Sequence, residues 1–219
     1  YTQAGTLYAV DARLRPGGRE GELVQTPAGL RQYFAGRAGA WEAMSYLKAR
    51  TVAGEDALGA AALEGIHESL RRHFAGRAFG LELRALRERI ERDGRRGHWG
   101  LKTAAGGYYD ADFLLSQRLL VEGRTPPPAP GLSGWARALG HEELADLVTY
   151  LRAADHALRV ATGKAGSAIP AAGAAVARAW SWLERIRPAL PDVACTAATV
   201  PERLEAARAR VRILYQALL

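Results

Sequence analysis

The sequence predicts a mainly α-helical protein in which a short strand segment leads into a series of helices. Three observations carry that reading. Residues 7–14 alternate in character, with Tyr8, Val10, Ala12 and Leu14 on one face and Asp11 and Arg13 on the other, Arg15 continuing that second face. After Thr26 the apolar residues recur at helical spacing, and the glycines and prolines that break the pattern fall between the runs. At 219 residues with 48% hydrophobic content, the chain can bury a sizeable core and is long enough for one large or two small domains.

The first strand should stop at Pro16-Gly17-Gly18, and Gly21-Glu22-Leu23-Val24 can return as a second short strand. Thr26-Pro27 then opens a helix, a hydroxyl cap followed by proline in the first turn, with Leu30, Tyr33 and Phe34 on one face. Helices are expected over 27–36, 39–50, 56–74, 78–93, 110–122, 141–162, 170–187 and 201–218. The run Thr125-Pro126-Pro127-Pro128-Ala129-Pro130-Gly131 is read as an extended linker, because consecutive prolines hold the backbone out of the helical region. Leu144, Leu147, Leu151 and Leu158 keep the spacing of bundle packing.

Composition removes several function classes. The single Cys195 rules out a disulfide framework, and no apolar run reaches the length of about 18 residues that a membrane span needs. A cytoplasmic location with no membrane partner follows. Tyr1 stands in place of an initiator methionine and no leader pattern follows it, so the chain is read as a piece of a longer polypeptide. The net charge of +7 comes from 30 Lys+Arg against 23 Asp+Glu, mixed along the chain and dominated by arginine. Without a lysine-rich arm or a nucleic-acid-binding motif, it points to a nucleotide or protein ligand and not to nucleic acid.

Four segments carry a resemblance. They are Leu7-Tyr8-Ala9-Val10-Asp11-Ala12-Arg13-Leu14-Arg15-Pro16; Trp41-Glu42 with Lys48-Ala49-Arg50-Thr51-Val52-Ala53-Gly54; Leu83-Arg84-Ala85-Leu86-Arg87-Glu88-Arg89-Ile90; and Leu101-Lys102 with Gly106-Gly107-Tyr108-Tyr109-Asp110-Ala111-Asp112-Phe113-Leu114. In this order they resemble the glutamine synthetase adenylyltransferase family, with its V-D-x-R-L-R-P strand, W-E helix, R-E-x-R-x-R-M-like helix and K-x-x-x-G-G-I-x-D-I-E-F segment. The likeness covers roughly residues 5–122; beyond the proline run it thins to Tyr150-Leu151-Arg152, Asp155-His156-Ala157-Leu158 and Ile169-Pro170. Asp112 and Asp155 stand where the family usually has glutamate, and Tyr108-Tyr109 replace an aliphatic pair.

The resemblance implies a DNA polymerase beta-like nucleotidyltransferase. Residues 1–122 would be the C-terminal part of its catalytic α/β domain with connecting helices, and residues 123–219 a helical bundle domain. It implies transfer of AMP from ATP to a tyrosine of glutamine synthetase, assisted by Mg²⁺. Glutamine synthetase is then the partner, with room for a nitrogen-signalling regulatory protein. Asp11 matches the third metal-binding carboxylate of such enzymes. The first two belong to a G-S-x-x-D-x-D segment that these 219 residues lack, so the chain alone is expected to be inactive. Pro16-Gly17-Gly18 with Gly21-Glu22-Leu23-Val24, and Arg210-Val211-Arg212, lean towards the half of the family that attaches AMP. The alternatives are the half that removes it, or a non-catalytic helical module that binds glutamine synthetase.

Each candidate residue has a structural reading beside the functional one. Asp11 is a metal ligand on a cleft face, or an exposed carboxylate paired with Arg13 or Arg15. Arg13 and Arg15 clamp triphosphate oxygens, or form a surface pair. Lys102 with Gly106-Gly107 offers an ammonium and free N–H groups to phosphate, although no Walker spacing is present. One of Asp110 and Asp112 is expected to cap a helix. The five histidines show no metal-ligand spacing, His156 reads as a core or interface residue, and Trp180 and Trp182 read as buried anchors. Cys195 receives no role.

Overall fold

The computed structural model describes residues 14–94, 100–128, 131–163, 173–186 and 199–218. Among these the fold is mainly α, as the helical periodicity requires. The helices are α1 (Pro27–Gly36), α2 (Ala40–Tyr46), α3 (Asp56–His73), α4 (Arg77–Gly94), α5 (Tyr108–Val121), α6 (Gly131–Ala138), α7 (Glu142–Thr162), α8 (Ala174–Ile186) and α9 (Val200–Leu218). None is long and apolar enough to cross a membrane.

The two expected strands fare differently. Residues 7–13 lie outside the described residues, while Leu14 sits in a turn and is 55% exposed. Gly21–Val24 is an irregular segment and not a strand. Leu23 and Val24 are 76% and 81% exposed, so no packed neighbour rewards the pleated conformation that their side chains favour.

The chain divides into two compact units, residues 1–79 with 120–125, and residues 80–119 with 126–219. In the first, Thr26 caps α1 by accepting the Gly29 N–H at Oγ1, 3.0 Å away, and Pro27 follows at the first helical position. Helix α1 packs on α3. Phe34 is buried at their centre, edge-on to Tyr46 with centroids 4.8 Å apart and to Phe74 at 6.4 Å, while Phe74 meets Phe79 at 5.0 Å. Helix α2 ends at Tyr46, short of the expected 39–50, because the N–H groups of Lys48 and Ala49 turn back to the carbonyls of Ser45 and Tyr46.

In the second unit α7 packs against α6, α8 and α9, with Leu144, Leu147, Val148, Leu151, Ala154 and Leu158 buried. Gly163 in the left-handed conformation, φ 64°, ends α7. Helix α5 is buried around most of its circumference, Ala111 through Gln117 without interruption, and so takes four polar side chains inside: Asp110, Asp112, Ser116 and Gln117. Helix α6 has no counterpart in the sequence expectation. It is only eight residues long, begins at a positive-φ glycine directly after the proline run, and shows its amphipathic face chiefly through Trp135 and Ala136.

Truncating Phe34→Ala removes the ring that joins three helices of the first unit and should cost about 3–5 kcal/mol, whereas Leu23→Ala should stay within about 0.5 kcal/mol. Chemical denaturation of the two variants checks the contrast; equal effects would contradict the core assignment.

Candidate functional site

Arg15 begins the site in the first unit by organising the loop that follows it. Its Nε donates to the Gly21 carbonyl and its Nη2 to the Arg19 carbonyl, each at 2.9 Å, closing residues 15–21 into a compact turn. Gly17 and Gly18 provide the positive φ angles, 75° and 59°. At Gly21 a Cβ atom would lie 1.7 Å from the Pro16 carbonyl oxygen, so the ring admits only glycine there. Helix α1 faces this loop through Tyr33, whose hydroxyl donates to Glu42 Oε1 at 2.5 Å. Glu42 Oε2 in turn accepts the Gly39 N–H at 3.1 Å and caps α2. Burial raises the Tyr33 pKa, Glu42 raises it further, and a hydrogen bond from the Gly17 backbone partly offsets both. Between loop and helix lies a groove of about 620 Å³, lined on the loop side by Pro16, Gly17, Glu20, Gly21, Glu22 and Gln25 and on the helix side chiefly by Gln32, Tyr33 and Arg37.

The second unit holds a buried charge cluster around Asp110. Residues 100–107 turn into α5 through two glycines that nothing larger could replace. A Cβ at Gly106, φ 72°, would meet the Arg208 carbonyl oxygen at 2.1 Å, and one at Gly107 would meet the Lys102 and Leu101 carbonyls at 2.7 and 2.8 Å. Asp110, wholly buried in the first turn of α5, accepts the Gly106 N–H at 2.8 Å and pairs with the equally buried Arg87 of α4. Arg212 of α9 lies 3.2 Å from both Asp110 Oδ2 and Glu91 Oε2. Arg87 Nη2 also donates to the Ala104 carbonyl at 3.1 Å, and Arg208 Nη2 to the Ala105 carbonyl at 2.9 Å. Burial, and then the Asp110 charge, push the neighbouring Tyr215 hydroxyl up to about 12.

The site residues read from the sequence are distributed as follows. Asp11 and Arg13 lie outside the described residues. Arg15 belongs to the first unit and Lys102 to the second. Lys102 Nζ sits over the Tyr109 ring, 5.1 Å from its centroid. Asp110 does serve the start of α5, through the Gly106 N–H, but its larger part is that of a buried ion-pair partner. Asp112 is also buried, with the Ser116 hydroxyl donating to it at 3.4 Å. His156 is exposed and not a core residue; its ring lies tilted by 49° beside that of Trp182 at 6.1 Å between centroids, and Trp182 is itself 39% exposed and not a buried anchor. Trp180 is half-buried, while Cys195 and Ile169-Pro170 lie outside the described residues. Among the described residues no three His, Cys, Asp or Glu side chains are grouped as metal ligands.

The sequence reading missed Arg87, Glu91 and Arg212 as one cluster, and Tyr33 with Glu42 as another. The signals were faint: an arginine on the buried face of α4 that also carries Leu83, and the i,i+4 spacing of Arg87 and Glu91. A further tie holds α9 to α7, where Arg210 donates to both Glu143 oxygens at 2.6 and 2.8 Å. These hydrogen bonds lower the Glu143 pKa, against an opposing effect of burial. A depressed carboxylate stabilises above its unfolded value and loses that contribution as pH falls through the folded one. Wild type should therefore exceed Glu143→Gln in stability near pH 7, and the gap should close as pH drops below 4.5. Melting temperatures of the two across that range check it; a gap that widened in acid would contradict the pairing.

A family model described as glutamate-ammonia ligase adenylyltransferase matches residues 1–65. Among curated relatives, the bifunctional glutamine synthetase adenylyltransferase/adenylyl-removing enzyme of Xanthomonas campestris pv. campestris is 37% identical over 129 residues, 58% of this chain and 14% of its own length. The protein of the same description from a Bradyrhizobium species is 34% identical over 143 residues, 65% of this chain and 14% of its own. That of Mycobacterium avium is 29% identical over 236 residues, covering 97% of this chain and 23% of its own. The chain thus spans between 14% and 23% of the length of these relatives. On these matches the chain is similar to part of the curated members of the glutamine synthetase adenylyltransferase family.

Proposed function

We propose that the chain is the tail of one nucleotidyltransferase unit, residues 1–122, and its helical domain, residues 123–219, in an enzyme that moves AMP from ATP to a tyrosine of glutamine synthetase. The observation that carries this reading is the family match over residues 1–65, which takes in the Val10-Asp11-Ala12-Arg13-Leu14-Arg15-Pro16 strand pattern and Trp41-Glu42. Asp11 would be one anionic ligand of the metal pair, and Arg13, Arg15 and Lys102 would face phosphate oxygens. Arg15, tied to the carbonyls of Gly21 and Arg19, is a guanidinium whose position the loop sets in advance.

Mg²⁺, when bound, supplies neutralisation of the triphosphate charge as pyrophosphate leaves. One carboxylate fits a single position in such a ligand set and no more. The described residues offer no grouped acids to complete it, and the 219 residues contain no G-S-x-x-D-x-D. The chain by itself is accordingly proposed to be silent, its activity depending on carboxylates supplied by the intact polypeptide. The Pro16-Gly17-Gly18 and Gly21-Glu22-Leu23-Val24 pattern favours the AMP-attaching half over the removing one. A cytoplasmic setting and response to a nitrogen-signalling protein belong to the same proposal.

The test uses the intact protein with labelled ATP, Mg²⁺ and glutamine synthetase. Label should enter glutamine synthetase, Asp11→Ala should reduce incorporation to background with the fold intact by circular dichroism, and the 219-residue chain alone should give none. Full activity in Asp11→Ala would remove that residue from the metal site. Orthophosphate-dependent loss of AMP without ATP-dependent labelling would assign the chain to the removing half.

A further inference from the structure

Residues 15–21 carry a guanidinium on a stretch of chain that is poorly able to fix its direction. Pro16 is buried and the rest are half-buried or exposed, while Gly17 and Gly18 leave the backbone more conformations than other residues would. Arg15 reaches the carbonyls of Arg19 and Gly21, the Gly18 N–H reaches the Arg15 carbonyl at 2.9 Å, and the Gly21 N–H reaches that of Gly18 at 3.3 Å. All of these bonds begin and end inside the loop. They set its internal shape and leave its direction against α1 and α2 open. The burial of Pro16 holds one point of the loop without orienting it, because apolar contact is non-directional.

The directional tie runs through one phenol. Tyr33 in α1 takes a hydrogen bond from the Gly17 backbone and donates its own proton to Glu42 Oε1 at 2.5 Å. Glu42 is held in turn: its Oε2 accepts the Gly39 N–H at 3.1 Å, and the residues that follow it, Ala43 and Met44, are 0% and 1% exposed. The loop is thereby joined, through successive hydrogen bonds, to a helix that the core anchors. With the acceptor fixed on one side, the hydroxyl spends its proton there and offers Gly17 a lone pair. Tyr33 is half-buried on the wall of the groove of about 620 Å³, where water can replace either bond. A bond that water can replace adds little to stability, so its contribution is direction.

Resting on the proposed contact of Arg15 with phosphate oxygens, we propose that Tyr33, oriented by Glu42, is a positioning residue of the transfer reaction, fixing the loop at Gly17 and so aiming the Arg15 guanidinium. Without the hydroxyl, Arg15 keeps its charge and its loop carbonyls but swings with the loop, and a misplacement of about 1 Å costs up to about 100-fold in rate. Glu42 enters the same chain of contacts from behind the phenol, which gives the acid of Trp41-Glu42 a part in transfer beyond capping α2.

The experiment measures ATP-dependent labelling of glutamine synthetase by the intact protein and its variants, with hydrogen exchange of peptides covering residues 15–21. Tyr33→Phe keeps the ring under Arg37 and removes only the hydroxyl. It should lower kcat about 10- to 100-fold, leave the KM for glutamine synthetase within about twofold, and speed exchange of residues 15–21 with little change in melting temperature. Glu42→Ala should match it, and Glu42→Gln, which retains an acceptor oxygen for the phenol, should fall between Glu42→Ala and wild type. In an Arg15→Lys background, where the two-carbonyl fork is already lost, Tyr33→Phe should cost less than about twofold further, a masking that a merely structural role does not produce. Unchanged kcat in Tyr33→Phe, or the same loss with Arg15 and with Lys in its place, would overturn the positioning role and leave the transferase reading standing. Full labelling by Arg15→Ala would remove the phosphate contact and this inference with it. No labelling by the wild-type intact protein would remove both readings together.

Discussion

A carboxylate taken wholly out of water must be compensated where it lies, and Asp110 imposes that constraint on the second unit. Burying an ion costs several kcal/mol even after relaxation, so Asp110 can sit inside α5 only because cations and a backbone donor meet it there. Arg87 arrives from α4, Arg212 from α9, and the Gly106 N–H from the loop before α5. Each partner fixes something further. Arg87 and Arg208 satisfy the carbonyls of Ala104 and Ala105, and the close approach of α9 to that loop leaves Gly106 no room for a side chain. Lys102 is thereby carried on a loop whose exit is pinned.

The first unit solves a similar problem with weaker groups. Its loop after Arg15 has few apolar residues to bury, so polar ties hold it: the Arg15 guanidinium on two carbonyls and the Tyr33 hydroxyl between Glu42 and the Gly17 backbone. Glu42 does double duty by capping α2 through Gly39. The Trp41-Glu42 pair that marks the family resemblance therefore has a physical reason in this chain. Its acid closes a helix start and fixes the phenol that faces the groove.

Elements with chemistry written locally were legible in the sequence. Thr26-Pro27 predicts the start of α1 because cap and proline act within one turn, and the leucine spacing of 144–158 predicts α7. Helix α6 was not legible because eight residues after a proline run hold too few apolar positions to show a period. Gly21–Val24 misled in the opposite way: its residues favour a strand, but propensity without a packed neighbour does not make one. The charge cluster was the hardest to see, since Arg87, Asp110 and Arg212 are far apart in sequence. Nothing local distinguishes a buried arginine from a surface one, and the sequence leaves open which of Asp110 and Asp112 caps the helix, a part that Asp110 plays only alongside its ion pairs.

The account's central claim is that Asp110 and Arg87 act as one unit in holding α4, the glycine loop and α9 together. A double-mutant cycle on Arg87→Leu and Asp110→Asn, measured by chemical denaturation, tests it most directly. Each single change takes its nearest counter-charge from a buried ion and should cost about 3 kcal/mol, while the double should be less destabilised than the sum by more than about 1.5 kcal/mol. Additive losses would show that the two charges do not depend on each other, and would contradict the account.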